Sequence, residues 1–221
     1  MAMRHLWVVR ILYILCKFRL RGLIFLANIK ICLDAGHYGK YNRSPAVPEY
    51  YESDMNWKLH LMLKARIEEY EGVEVILTRE NQETDKTLFD RGCTSEGCDL
   101  FLSIHSNAVD DFVHEDVDYP KSIVQLDGRG DKLGLMLGEC VKELMGTKQD
   151  VLLFKREHQG GEYYGVLRGA AAVGTMGIIL EHSFHTNTKM TKWLLDDNNL
   201  AKAAKAEAEV IAKYFGLKKK A

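Results

Sequence analysis

The sequence has 221 residues and a formal net charge of −1, with 47% hydrophobic and 28% charged residues. This composition is typical of one soluble globular domain with a substantial core, and it excludes disordered and collagen-like chains. The charge is uneven, because residues 1–30 hold six basic and no acidic groups while residues 31–217 hold 21 basic and 31 acidic ones, about −10. An acidic body lacks the basic face that nucleic acid requires, so no nucleic-acid partner is expected.

The first 27 residues form an apolar, basic lead that fits no standard targeting signal. Its longest uncharged runs, residues 11–16 and 22–27, are far shorter than a membrane-spanning helix, and no stable membrane insertion is expected. Basic residues also interrupt the apolar stretch that a signal peptide needs. Three interpretations remain open: an amphipathic helix on an anionic membrane, a degenerate export signal, or a non-native extension of a chain that starts near residues 26–28. We favour the third, which divides the chain into the lead (1–27), one domain (28–217) and a solvated basic tail (218–221).

After the lead, apolar runs alternate with helical patterns along the chain. Strands are predicted at residues 29–34, 73–77, 99–104, 122–126, 151–154 and 177–181, and helices at 52–70, 87–97, 131–145, 188–196 and 199–215. This alternation predicts a single α/β domain, in which helices flank a largely parallel, twisted central sheet of about six strands. Ligands of such sheets bind beyond the carboxyl ends of the strands.

Chemically reactive side chains follow three of the predicted strands. His37 follows the first strand, His105 follows the third, and Glu181 ends the last. In a parallel sheet these endings lie at one edge, so the three side chains are expected to converge there. Glu52 opens the first helix, which begins near the same edge because its loop leaves the first strand there.

Two histidines and a carboxylate with an open fourth position are the usual ligands of a catalytic zinc ion. We therefore predict one Zn²⁺ bound by His37, Glu52 and His105. Hydrolysis then needs a carboxylate that does not bind metal, takes a proton from water and delivers it to the leaving amine. Glu181, at the end of a buried strand, fits that role because partial burial would raise its pKa.

Several other residues compete for these roles. Glu49 and Asp54 are alternatives to Glu52 as the third ligand. His182 and His185 flank Glu181 but are predicted to serve in hydrogen bonding to substrate or to be exposed, and strand alternation turns His182 toward the opposite face. The five cysteines form no zinc-binding pairs and imply no disulfide framework.

The order of these motifs resembles that of the zinc-dependent N-acetylmuramoyl-L-alanine amidases of the amidase 3 type, found in bacterial cell-wall hydrolases and phage endolysins. The resemblance runs from about residue 29 to 217. It rests on ICLDAGHYG at 31–39, the glutamate of ESDMNWKL at 52–59, TRE at 78–80 with Arg91, SIHSNA at 103–108 and ILEHSFHTN at 179–187.

The resemblance implies that His37, Glu52 and His105 are zinc ligands and that Glu181 is the catalytic glutamate. It implies hydrolysis of the amide between the lactyl group of N-acetylmuramic acid and L-alanine in peptidoglycan, and hence action at the cell wall in lysis or remodelling. The sequence departs from the family at Tyr38 and Ser183, which stand where glycines are customary, and in an acidic loop at residues 108–121.

Two other functions remain open: a zinc carboxypeptidase or other peptidase acting on stem peptides, and a non-catalytic peptidoglycan-binding module. The 15-residue separation of His37 and Glu52 disfavours the carboxypeptidase, which places a histidine and a glutamate three residues apart. Arg79, Arg91 and Arg168 are candidates for holding stem-peptide carboxylates. The sequence alone leaves the oligomeric state and the export route undetermined.

Overall fold

The computed structural model describes residues 28–221, so the lead at 1–27 lies outside the described residues. The strands are β1 (Ile29–Ala35), β2 (Val73–Leu77), β3 (Leu100–Asn107), β4 (Lys121–Val124), β5 (Leu152–Phe154), β6 (Glu157–His158), β7 (Gly161–Glu162) and β8 (Met176–Phe184). The helices are α1 (Glu52–Ile67), α2 (Leu88–Cys93), α3 (Asp131–Met145), α4 (Gly165–Ala172), α5 (Thr188–Leu195) and α6 (Asp197–Phe215).

The sequence predicted about six strands in the central sheet, and six are present, in the order β2-β1-β3-β8-β4-β5. All neighbouring pairs are parallel except β8 and β4, which are antiparallel. The carboxyl ends of β1, β3 and β8 therefore lie at one edge of the sheet. The amino end of β4 lies at that edge as well, because β4 runs the other way.

Helices cover both faces of the sheet and bury two apolar cores. The larger core lies beneath α1, α3 and α6 and includes Leu59, Leu102, Leu137 and Ile211. The smaller one lies beneath α4, against which α2 packs, and centres on Phe101 and residues of β4, β8 and α4. The sheet strands are nearly continuous apolar runs, as expected when both faces of a sheet are covered.

Two predicted helices are shorter than expected, and one helix and one hairpin were missed. The helix predicted at 87–97 is only α2 (Leu88–Cys93), and the helix predicted at 52–70 ends at Ile67. The helix α4 and the small β6–β7 hairpin were not predicted at all. Gly92 of α2 and Gly169 of α4 allow these two helices to pack closely. A Cβ atom on either glycine would lie 2.1 Å from a carbonyl oxygen of the facing helix.

The basic tail is exposed, and two of its lysines contact residues elsewhere in the domain. Lys219 forms a 2.8 Å ion pair with Glu69, and Lys220 Nζ donates a 2.7 Å hydrogen bond to the carbonyl of Glu68. These contacts join the tail to the residues that follow α1. Within residues 28–221, no helix combines the length and the apolarity required to cross a membrane.

Candidate metal centre

The structure brings His37, Glu52 and His105 together at the carboxyl edge of the sheet. One ligand atom from each lies within 4.8 Å of the other two. His105 Nδ1 is 2.8 Å from Glu52 Oε1, and His37 Nε2 is 3.2 Å from Glu52 Oε2. Two imidazole nitrogens and one carboxylate are the donor set of many catalytic zinc sites, so these residues fit the metal predicted from the sequence.

Local backbone geometry positions the two histidines. His37 follows Gly36 and adopts a left-handed conformation with φ of 61°. Gly36 has no room for a side chain, because a Cβ there would lie 2.2 Å from Cε1 of His105. The glycine therefore lets the end of β1 approach the imidazole ring of its neighbour on β3.

Glu52 is fixed in the first turn of α1 by several donors. The amide of Ser106 donates to its Oε1 over 3.1 Å, and Asn42 Nδ2 donates to its Oε2 over 2.6 Å. The side chain is almost completely buried. The two alternative ligands are elsewhere, since Glu49 is exposed and Asp54 accepts a hydrogen bond from Gln82.

The electrostatics of the cluster favour a charged carboxylate. Burial alone would raise the pKa of Glu52, but hydrogen bonds from His105 and His37 hold it well below the usual value. Burial likewise opposes a charge on His105, yet the contact with Glu52 raises the pKa of this histidine to about 9. A metal ion binding here must therefore displace a proton from the imidazole.

Glu181 lies beside this cluster and does not join it. It is paired in register with His105 across β3 and β8. Its Oε2 is buried and has no hydrogen-bond partner among the described residues. Burial is the main cause that raises the pKa of Glu181 to about 7, and the charge of Glu52 contributes in the same direction.

A buried polar network supports the end of β1 beneath the site. Thr78 and Ser103 donate hydrogen bonds of 2.6 and 2.7 Å to the carboxylate of Asp34. Arg79 and Arg91 donate to the carbonyl of Ala35, over 2.5 and 3.1 Å. The two arginines are almost fully buried. Burial and these hydrogen bonds disfavour Arg79 and Arg91 as the candidates for holding stem-peptide carboxylates.

Arg168 differs from these two arginines because its side chain is exposed. It donates a 2.6 Å hydrogen bond to the carbonyl of Tyr163. Its role in substrate binding stays a prediction.

The two histidines beside Glu181 are both buried, which corrects the expectation of exposure. His182 points away from Glu181, as predicted, and its Nε2 lies 2.8 Å from Glu207 of α6. His185 contacts Ser106 through Nδ1 at 2.9 Å and stacks on Tyr50. His185 lines a groove of about 600 Å³ beside the site, together with residues of the 42–48 and 108–111 segments.

Ser183 keeps the backbone shape that a glycine would provide. Its φ is 61°, in the left-handed region, and its Oγ donates a 2.9 Å hydrogen bond to the carbonyl of Asp118. This hydrogen bond offsets part of the strain of a side chain in that conformation. Asp118 belongs to the acidic loop, so the loop is fastened directly behind the strand that carries Glu181.

Sequence reasoning missed Asn42, Ser106 and Tyr50 as neighbours of the site. Asn42 Nδ2 contacts both Glu52 and His37, and the hydroxyl of Tyr50 lies 2.7 Å from Ser106 Oγ. Ser106 was visible in the SIHSNA motif, directly after a predicted ligand. Asn42 and Tyr50 lie in a long loop whose path no local pattern predicts.

A comparison with models of known protein families matches most of the chain. The Amidase_3 family model, described as N-acetylmuramoyl-L-alanine amidase, matches residues 31–213. The chain belongs to this family. Membership assigns it a peptidoglycan amidase activity, which takes place outside the cytoplasm at the cell wall. A search of the curated proteins found no match.

Solved amidase structures share the fold. The catalytic domain of CwlV from Bacillus (Paenibacillus) polymyxa var. colistinus is 19% identical with a TM-score of 0.72, and the alignment covers 86% of this chain and 99% of that one. An N-acetylmuramoyl-L-alanine amidase from Clostridium difficile 630 is 17% identical with the same TM-score, covering 86% and 98%. The CwlD amidase from Clostridioides difficile, solved in complex with the GerS lipoprotein, is 24% identical with a TM-score of 0.68, covering 86% and 99%.

Proposed function

We propose that residues 28–217 form a zinc-dependent N-acetylmuramoyl-L-alanine amidase domain that cleaves the bond between N-acetylmuramic acid and L-alanine. The observation that carries the proposal is the cluster of His37, Glu52 and His105, together with the partly exposed Glu181 on the next strand, whose Oε2 is buried and unpartnered among the described residues. The family match favours this reaction over a carboxypeptidase or a non-catalytic module. The biological outcome is lysis or remodelling of the cell wall.

The roles of the residues follow from their chemistry. His37, Glu52 and His105 would hold one zinc ion. When bound, such an ion polarises a carbonyl group and lowers the pKa of a water molecule toward neutrality. Glu181 takes the proton from the attacking water and then donates it to the amine of L-alanine as the amide bond breaks. A pKa near 7 suits both steps, because the carboxyl group can accept and release a proton at neutral pH.

The ring of donors around Glu52 keeps the cluster preorganised. The hydrogen bonds from Ser106 and Asn42 leave this carboxylate with few alternative orientations. The Asp34 network holds the strand end that precedes His37. Such supporting contacts commonly set the affinity of a metal site.

Digestion of purified peptidoglycan tests the proposal. We expect the wild-type protein to release stem peptides with a free L-alanine amino terminus, detected by mass spectrometry, and a chelator to abolish the release. Glu181→Gln should retain zinc, measured by elemental analysis, but lose activity by roughly 10²- to 10⁴-fold, the usual contribution of a general acid–base. Glu52→Gln should lose zinc as well.

Glu96→Gln is the matched control, because Glu96 is exposed before β3 at the opposite edge of the sheet. It should retain both zinc and activity. Full activity of zinc-loaded Glu181→Gln would overturn the assignment of Glu181. Release of single amino acids instead of intact stem peptides would overturn the amidase reaction.

A further inference from the structure

Three partly exposed residues form a row across neighbouring strands of the sheet. His105 on β3 is in register with Glu181 on β8, and Glu181 is in register with Lys121 on β4. Directly paired residues point to the same face of a sheet, and neighbouring strands lie about 4.8 Å apart. Glu181 is partly exposed, and all the remaining residues of β8 are buried. Lys121 is likewise the one residue of β4 that is not buried, so the two side chains open onto one continuous surface.

The ammonium group of Lys121 has no anionic partner. Its Nζ lies 4.1 Å from the centre of the Phe154 ring, and within residues 28–221 it forms no salt bridge. Contact with an aromatic face holds the cation in place while its hydrogen-bond donors remain available. Arg156 adds a second positive charge nearby, and its guanidinium lies 3.7 Å from the ring centre of Tyr163.

The proposed reaction sets the direction in which the substrate lies across this row. The acyl group must lie over His37, Glu52 and His105, whereas the leaving amine must lie within reach of Glu181. The peptide that begins with this amine therefore continues past Glu181, away from the metal ligands. The next strand in that direction is β4, where Lys121 is the residue that opens to the surface.

We propose that Lys121 binds the free α-carboxylate of the D-glutamate that follows L-alanine in the stem peptide. This D-glutamate is joined through its γ-carboxyl group, so its α-carboxylate is an available anion. Two extended residues span about 7 Å, which is sufficient to reach a neighbouring strand. The assignment rests on the proposed function and makes Lys121 a residue that determines substrate specificity. Arg79 and Arg91 are too deeply buried to bind this carboxylate.

A pair of substrates that differ only in this carboxylate provides the test. One is N-acetylmuramoyl-L-alanyl-γ-D-glutamyl-L-lysine, and the other is N-acetylmuramoyl-L-alanyl-D-isoglutaminyl-L-lysine, in which a neutral carboxamide replaces the α-carboxylate. In both compounds the γ-carboxyl group is joined to lysine. We expect zinc-loaded wild-type protein to prefer the carboxylate in kcat/KM by roughly tenfold or more, the usual effect of a hydrogen bond to a charged group. Lys121→Met should abolish this preference by slowing cleavage of the carboxylate substrate alone, and Lys121→Arg should restore it.

Lys213→Met is the matched control. Lys213 is exposed near the carboxyl end of α6, where the neighbouring Tyr214 contacts Met176 at the start of β8, far from Glu181. This variant should leave the preference unchanged. An equal loss on both substrates in Lys121→Met would overturn the proposal, because Lys121 would then act on Glu181 and not on the peptide. A preference that survives in Lys121→Met would overturn it as well.

Binding to an inactive protein separates this inference from the proposed function. Dissociation constants of both compounds are measured by calorimetry with zinc-loaded Glu181→Gln and with the double variant Glu181→Gln/Lys121→Met. We expect tighter binding of the carboxylate compound by roughly tenfold in the first protein and none of this difference in the second. Equal constants in the first protein, or no binding of either compound, would overturn the subsite, whereas cleavage of neither by the wild type would overturn the amidase function.

Discussion

At the scale of single residues, Glu181 combines a proposed catalytic role with a cost in stability. It lies near the end of β8 with its Oε2 buried, and this oxygen has no partner among the described residues. Burial raises the pKa of Glu181 to about 7, which means that the folded protein resists ionisation of this group. Reactive sites commonly retain groups that lower the stability of the fold, because a shifted pKa is useful in catalysis.

This cost predicts a pH-dependent gain in stability for Glu181→Gln in metal-free protein. Because the folded pKa of about 7 exceeds the unfolded value near 4.5, the folded state binds more protons between these values, and its stability falls as pH rises through them. A neutral glutamine avoids this loss. We expect Glu181→Gln to be more stable than wild type at pH 8, by on the order of 2 kcal/mol, and nearly equal at pH 5.

Urea unfolding at the two pH values, with chelator present, measures this difference. Glu96→Gln serves as the control, because its exposed side chain should change stability by less than about 0.5 kcal/mol at either pH. A gain of the same size at pH 5 and pH 8 would show that ionisation of Glu181 is not its cause.

At the scale of elements, a buried ion pair connects α6 to the strand that carries Glu181. His182 Nε2 lies 2.8 Å from Glu207 Oε1, and both side chains are fully buried. Burial alone would lower the pKa of His182, but the charge of Glu207 outweighs it and raises the pKa. The other ring nitrogen lies 3.1 Å from the carbonyl of His105, so the pair also reaches the strand of a proposed metal ligand.

Removal of one partner should therefore destabilise the domain strongly. We expect Glu207→Ala to lower the free energy of unfolding by about 3 kcal/mol, because it leaves a buried histidine without its partner. Glu209→Ala is the matched control, since Glu209 is exposed two residues later on the same helix. It should change stability by less than about 0.5 kcal/mol. Equal effects of the two variants in urea unfolding would show that the buried pair contributes nothing specific.

The elements themselves were largely visible in the sequence. Long periodic segments such as α3 and α6 and the apolar strands were predicted close to their observed bounds. The short helix α4 was missed, because its sequence GVLRGAAA carries two glycines that weaken the helical pattern. Those glycines are explained by tertiary contact, since Gly169 lets α4 approach the backbone of α2.

At the scale of the whole molecule, the proposed metal ties together segments that are distant in the chain. His37 follows β1, Glu52 opens α1 and His105 lies on β3. A ligand that binds only the folded state stabilises it by mass action. We expect zinc at about 100 times its dissociation constant to raise the free energy of unfolding by about 2.7 kcal/mol, which corresponds to an increase of roughly 5–10 °C in Tm.

Thermal unfolding with zinc and with chelator measures this shift. Glu52→Gln should show little or none of it, because the variant lacks the carboxylate ligand. Glu181→Gln should show the full shift, because Glu181 is not among the three proposed ligands. A shift of equal size in all three proteins would place the stabilising zinc at another site.

The sequence by itself determined the fold class and showed which strands are followed by chemically reactive side chains. Local patterns suffice for this, because apolar runs and turn residues specify each element, and a parallel sheet brings its strand ends to one edge. For that reason His37, Glu52, His105 and Glu181 could be named before any coordinates.

Only the tertiary structure decided which polar residues serve the fold and which face the site. Arg79 and Arg91 look like substrate-binding residues in the sequence, yet the fold buries them against the end of β1. Lys121 attracts no notice in the sequence but lies next to Glu181, because β4 runs antiparallel to β8 and brings its first residue to the active edge. Strand order and direction depend on contacts between distant segments, and no local pattern encodes them.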